Sequence, residues 1–347
     1  MNRPFDPVDG SPTGSSGMRP REHRRRGWRQ EFYRDLNEHI RKFNSRRARR
    51  GGETGKLTQR HRIMALEKSL RRLLNAGYKL RRLNNFGLKH MQWIVNDWRA
   101  RDLNRASTMQ NYFSHFRKFC MDLGKPQLAR YLDEEQAGDP LMRRSTYART
   151  DHSEQARGLD VHALFKQAHA MNPWFAAQLM LIFAFGLRAS EAMQFRPHLA
   201  ERSDGLVLVL FGTKGGRPRV LPFELTEFQR SVLQYAKTFP VHKAESMIPA
   251  DYSLKRWRRR FYDYCERVGL TRDQLGVTPH SLRHGYLLDN YEEIAGEAAP
   301  VRGGGLARVN PRADRAVREV IALLAGHTHP SITTAYLGPV NPNRLLS

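Results

Sequence analysis

Apolar residues along this chain recur mostly at three- and four-residue spacing, the signature of helices that bury one face. Trp28, Phe32, Leu36, Ile40 and Phe43 predict a first amphipathic helix, closed by Arg46, Arg47, Arg49 and Arg50 before Gly51 and Gly52. Ile63, Leu66, Leu70, Leu73 and Leu74 predict a second, with Thr58 as its N-cap and Gly77 as its stop. Leu88, Met91, Ile94, Val95 and Trp98 predict a third. Met109, Tyr112, Phe113, Phe116, Phe119, Cys120 and Leu123 predict a fourth, from about 106 to 123, that Gly124 and Pro126 end. These aromatic stripes read as core.

After a polar stretch from 133 to 152, read as a linker, the pattern resumes. Asp160 caps a helix to about Met171, and Asn172-Pro173 opens a helix apolar on every side that ends at Phe185 before Gly186. Ser190 is the expected cap of the next helix. Leu206 to Phe211 is the main β-rich run, and Arg219 to Pro222 pairs with it across Gly215-Gly216 to make a hairpin. Helices follow over about 252–269, from Thr278-Pro279, and from Asn310-Pro311 with Val317, Val320, Ile321 and Leu324 inward. The expected fold is therefore mainly α with a small β-hairpin. It divides into residues 1–26 as a disordered basic arm, 27–132 as a helical domain, 133–152 as the linker and 153–347 as a second domain with a short tail.

Charge changes the picture from a generic helical protein to one with a polyanionic partner. The 347 residues carry a formal charge of +25, and residues 1–150 hold 34 Lys and Arg against 15 Asp and Glu. Such an excess points to nucleic acid. No segment is long and apolar enough for a membrane span, and no hydrophobic signal core opens the chain, so a cytoplasmic location is expected. Cys120 and Cys265 have neither disulfide nor metal-ligand spacing. His280 and His284 lack the further ligands of a zinc site, so no metal is expected.

Four short boxes carry candidate chemistry: Gly186-Leu-Arg188-Ala-Ser-Glu191, Gly212-Thr-Lys214-Gly-Gly-Arg-Pro-Arg219, Pro279-His280-Ser-Leu-Arg283-His284, and Leu-Ala-Gly-His327 with Tyr336 nine residues on. In this order they resemble the catalytic boxes of the tyrosine recombinase family, the phage-type or lambda-integrase-like integrases. The resemblance implies a helical core-binding domain and a catalytic domain forming a clamp around DNA. It implies a mobile-element enzyme of prokaryotic or phage origin, associated with the nucleoid, that cleaves and rejoins DNA through a 3′-phosphotyrosyl link without a cofactor. It assigns Tyr336 as nucleophile, Arg188 and Arg283 to the phosphate, His280 to the tyrosine proton, Lys214 to the leaving 5′-oxygen, His327 to phosphate contact and Glu191 to orienting the array. His329 competes for the role of His327. The implied partner is double-stranded DNA bearing specific recombination sites, bound by a homotetramer and with accessory DNA-bending proteins. A type IB topoisomerase and a non-catalytic basic DNA-binding protein are the alternatives. Candidate phosphate contacts are Arg71, Arg72, Arg217, Arg219, Lys255, Arg256, Arg258, Arg259 and Arg260. The chain departs from the family where His327 follows Arg283 by 44 positions, with a Gly/Ala/Pro-rich stretch at 296–310.

Because the first 150 residues hold most of the excess charge, DNA affinity should fall by orders of magnitude over a few-fold rise in salt. A fragment starting at Asp151 should bind much more weakly, with a shallower salt slope. Equal affinity of fragment and whole chain on the same duplex would refute this.

Overall fold

The computed structural model describes residues 20–46, 53–101, 106–139, 142, 147–202, 205–213, 216, 218–221, 224–240 and 245–340. The chain forms two compact units, Met1–Arg144 and Ser145–Ser347. No described helix is long and apolar enough to cross a membrane.

The first unit is all helix: α1 (Pro20–Phe43), α2 (Lys56–Asn75), α3 (Leu88–Ala100), α4 (Ala106–Asp122) and α5 (Pro126–Gly138). Two expectations need correction at its start. Helix α1 begins at Pro20, so the last residues assigned to a disordered arm are helical, while residues 1–19 lie outside the described part. Helix α2 begins at Lys56 behind Gly55, which leaves Thr58 inside the first turn, where its side chain cannot cap. Helix α5 was not expected. Pro126, which stops α4, also opens α5, and Leu128, Ala129 and Leu132 bury one of its faces. The first residues of the expected linker are thus helical. Trp98 sits at the centre of the unit, its ring 5.0 Å from Phe116 and 5.5 Å from Phe113. Its Nε1–H donates to Ser69 Oγ at 2.9 Å, which satisfies the one polar atom it buries. Leu88, expected inward, is exposed at the first turn of α3.

The second unit contains α6 (Val161–Met171), α7 (Pro173–Phe185), α8 (Ala189–Gln194), α9 (Pro197–Ala200), β1 (Val207–Val209), β2 (Arg219–Leu221), α10 (Glu227–Lys237), α11 (Leu254–Arg267), α12 (Pro279–Ala295), α13 (Leu306–Val309), α14 (Pro311–Leu324) and α15 (Thr334–Leu337). The two strands pair antiparallel, Val207 with Leu221 and Val209 with Arg219. The caps of α6, α7 and α14 form as expected: Asp160 accepts the Ala163 N–H at 3.0 Å, Asn172 that of Phe175 at 3.0 Å, and Asn310 that of Ala313 at 3.1 Å.

Helix α7 is the axis of this unit, apolar all round and packed against α6, α10 and α12. Its one polar interior residue, Gln178, is fully buried. The amide accepts from Trp257 Nε1 at 3.0 Å and donates to the Met247 carbonyl, so it ties α7 to α11 and to the loop before it. Replacing Gln178 by Leu keeps the volume but orphans a buried N–H and a buried C=O, each costing on the order of 1–3 kcal/mol. Denaturant unfolding of the Gln178→Leu protein should show a loss in that range or above. A change within experimental error would mean the bonds contribute nothing net.

Candidate active site

The box Leu-Ala-Gly-His is a helix cap before it is anything chemical. At the end of α14 the Gly326 N–H donates to the Leu323 carbonyl at 2.9 Å and the His327 N–H to the Ala322 carbonyl at 2.8 Å. This double closure needs a left-handed residue, and Gly326 adopts φ 61°. His327 is delivered immediately after the turn. The carbonyls that the cap leaves open, at the negative end of the helix, each receive arginine: Ala325 accepts from Arg188 Nη2 at 2.9 Å and from Arg283 Nη2 at 2.7 Å, and Leu324 accepts from Arg219 Nη1. A Cβ on Gly326 would stand 2.7 Å from Arg219 Cδ, so the glycine also makes room for that side chain.

Glu191 holds the same three guanidiniums from the other side. It is 0% exposed and lies 2.6 Å from Arg188, 2.9 Å from Arg219 and 3.8 Å from Arg283. It also accepts the Arg188 backbone N–H at 2.8 Å, which makes Arg188 the N-cap residue of α8. Ser190, expected to be that cap, instead donates its hydroxyl to the Gly212 carbonyl at 3.0 Å and so anchors the hairpin's far side. Burial alone would raise the Glu191 pKa, but Arg219, Arg188 and Arg283 outweigh it and hold the carboxyl below its usual range. Among the described residues Glu191 is the one carboxylate in ion-pair range of these three cations, so two positive charges go uncompensated.

Tyr336 lies on α15 against this cluster and is itself buried. Its ring centroid is 4.6 Å from that of His284, 5.7 Å from those of His280 and His327, and 5.7 Å from Arg283 Cζ. Desolvation and then the charges of Arg283, Arg188 and Arg272 lower the His280 pKa to about 4. Its imidazole is therefore neutral near pH 7. His284 is buried and is lowered to about 3, by desolvation first and then by His280 and His152. The arrangement sets a phenol beside the neutral imidazoles of His280 and His284 and beside fixed cations, which suits an anionic group undergoing attack by an oxygen nucleophile.

Tyr336, Arg188, Glu191, His280, Arg283 and His327 come together. Lys214 and Arg217 lie outside the described residues. His329 serves elsewhere: it is exposed and its Nδ1 accepts the Ser331 N–H at 3.2 Å at the start of the next turn. Arg219, expected on the DNA-facing surface, is buried, because on β2 it shares the inward face with Leu221. That alternation was visible in the sequence. Arg72 is paired with Asp97 at 2.6 and 2.9 Å, whereas Arg71 is exposed. Lys255, Arg256, Arg258, Arg259 and Arg260 are all exposed on α11, across from buried Trp257, Phe261 and Cys265. Sequence reasoning set His284 aside with the zinc reading and overlooked His152, whose ring stands 5.9 Å behind it. His284 had a signal, since it is one helical turn from His280. Among the described residues no group of His, Cys, Asp and Glu could hold a metal ion.

The sequence model of a family described as Integrase matches residues 144–289, a span that includes Arg188, Glu191, His280 and Arg283 and ends before His327 and Tyr336. No curated protein matches the chain significantly. Among solved structures it is similar to lambda integrase as a tetramer bound to a Holliday junction, with a TM-score of 0.52 at 15% identity over 92% of this chain and 84% of that one. It is also similar to lambda integrase (75-356) as a dimer bound to a COC′ core site, with a TM-score of 0.50 at 16% identity over 85% and 96%. The chain thus resembles the tyrosine recombinases in sequence over residues 144–289 and in fold over most of its length.

Behind His284 lies a second buried acid. Glu154 is 1% exposed and its carboxylate packs on Gly285, where a Cβ would come within 2.3 Å of it. Neither oxygen has a hydrogen-bond partner among the described residues. Burial first, then Asp289 and Asp151 against the opposing pull of Arg302, raises its pKa from 4.5 to about 7. The folded protein therefore keeps a proton that the unfolded chain releases between those values. The stability this supplies is complete below about pH 4.5 and is lost as pH rises through about 7. Thermal melts across that window should show a smaller decline for Glu154→Gln than for the parent. Parallel curves would show that Glu154 does not titrate there.

Proposed function

We propose that the protein is a site-specific DNA recombinase that cleaves and rejoins a strand through a 3′-phosphotyrosyl intermediate. The observation that carries this reading is the gathering of Arg283, His280 and His327 around the ring of Tyr336, with Arg188 and Glu191 alongside. Each of these residue types has a part in moving a phosphodiester from one oxygen to another. The Tyr336 hydroxyl oxygen attacks the phosphorus, the bond to the 5′-oxygen breaks, and the strand leaves as a 5′-hydroxyl. Neutral His280 takes the tyrosine proton, and Lys214 supplies one to the departing oxygen.

Negative charge accumulates on the non-bridging oxygens as the phosphorus becomes pentacoordinate. Arg188 and Arg283 meet it with donors already fixed by helix-end carbonyls and by Glu191, so little reorganisation is needed during reaction. The surplus positive charge of the cluster favours the charge-rich transition state over the singly charged diester. His327 donates to the same phosphate. Reversal with another 5′-hydroxyl reseals the strand; one ester replaces another, and no nucleotide is consumed. The exposed cations of α11 and the basic first unit would hold the flanking duplex by its phosphates.

The deciding experiment removes one oxygen. Tyr336→Phe should abolish the SDS-resistant protein–DNA adduct on a nicked suicide duplex carrying the protein's recombination site, with binding retained within a few-fold. An adduct with the Phe protein would place the nucleophile elsewhere. Relaxation of a plasmid lacking that site would favour the topoisomerase reading.

A further inference from the structure

The stretch 296–310, where the chain departs from recombinase spacing, contains a tightly held turn, Pro300–Arg302. Glu292 on α12 accepts the Ala299 N–H at 3.1 Å with one oxygen and Arg302 Nη1 at 3.0 Å with the other. The Arg302 guanidinium also reaches Asp151 at 2.7 Å, Asp289 at 3.2 Å, Gln155 Oε1 at 2.7 Å and Ser153 Oγ at 3.2 Å. One planar fork therefore joins α12 to the segment 151–155 through three carboxylates and two neutral oxygens. A lysine cannot satisfy so many partners.

The neighbouring residue of this turn supports the helix that bears Tyr336. Gly338 closes α15 with φ 87°, and a Cβ there would stand 3.0 Å from the Val301 backbone nitrogen. The Gly338 carbonyl accepts Arg318 Nη1 at 3.2 Å, and the Thr334 carbonyl, at the other end of α15, accepts the Ala148 N–H at 2.8 Å. With only four residues, α15 has almost no internal hydrogen bonding to hold its place. Its position comes from these outside contacts.

We propose that the Pro300–Arg302 turn is a brace, locked by Arg302, that holds α15 so that Tyr336 keeps its distance from Arg283 and the histidines. Arg302 is then a positioning residue for strand cleavage. The effect on cleavage rests on Tyr336 being the nucleophile, whereas the packing does not. A nucleophile displaced by about 1 Å loses on the order of 100-fold in rate.

Hydrogen exchange by mass spectrometry on the full chain tests the brace without DNA. In Arg302→Ala, exchange of the peptide 334–338 should rise on the order of tenfold while the peptide 173–185 from α7 stays protected. Arg302→Lys should fall between, and Gly338→Ala, whose Cβ would stand 3.0 Å from the Val301 backbone nitrogen while the ion network stays intact, should also loosen 334–338. If Arg302→Ala unfolds globally, the Lys and Gly338 variants decide. No change at 334–338 in those two overturns the brace. On the nicked suicide duplex, Arg302→Ala should slow adduct formation about 10- to 100-fold at saturating protein, with gel-shift affinity within two-fold and partial recovery in Arg302→Lys. A loosened 334–338 with an unchanged adduct rate overturns the positioning role. A parent protein that forms no adduct counts against the proposed function, and the exchange experiment still decides the brace.

Discussion

Everything at the candidate site depends on how three arginines are kept together inside the protein. Like charges at this separation repel, and each guanidinium gives up hydration to be there. Two features offset that cost: the open carbonyls at the end of α14, which carry the negative pole of the helix, and the single carboxylate of Glu191. Neither alone suffices, since the carbonyls are only partial charges and one carboxylate neutralises one of three cations. The result is a rigid, undercompensated positive centre, a poor way to stabilise a fold and a good way to hold an anion.

The histidines follow from that centre. Loss of hydration and, for His280, the adjacent Arg283 and Arg188 lower both imidazoles, so His280 and His284 are bases at neutral pH. The same neighbours that would stabilise negative charge on a phosphate thus keep the proton acceptor in its accepting form. Tyr336 is drawn in by packing instead, on a helix too short to stand without support from the 148, 301 and 318 positions.

The long stretch between Arg283 and His327 does not loosen this geometry. Glu292, Arg302 and the 151–155 segment make a polar network on the far side of α12, and Glu154 lies within its reach without joining it. An unpartnered acid raised to about 7 costs stability when ionised, so the second unit carries two electrostatic burdens, one of each sign, on opposite faces of a single helix turn at 283–285.

Much of this was legible from residue order. Helix periodicity and cap residues located α3, α4, α6, α7, α12 and α14, because backbone hydrogen bonding and one-sided burial impose local rules on local sequence. The residue types of the site were also legible, as four boxes in order. The sequence did not reveal α5, since its three buried residues, Leu128, Ala129 and Leu132, are followed by a polar run with the composition of a linker. Nor did it reveal that Arg219 is buried against Glu191, that Arg72 pairs with Asp97, or that the Gly/Ala/Pro-rich stretch is anchored by Arg302. Those outcomes depend on which side chains meet across 25 to more than 100 residues of chain. An isolated arginine carries the same charge whether it will face a phosphate, a carboxylate or a helix end, and only the tertiary structure decides among them.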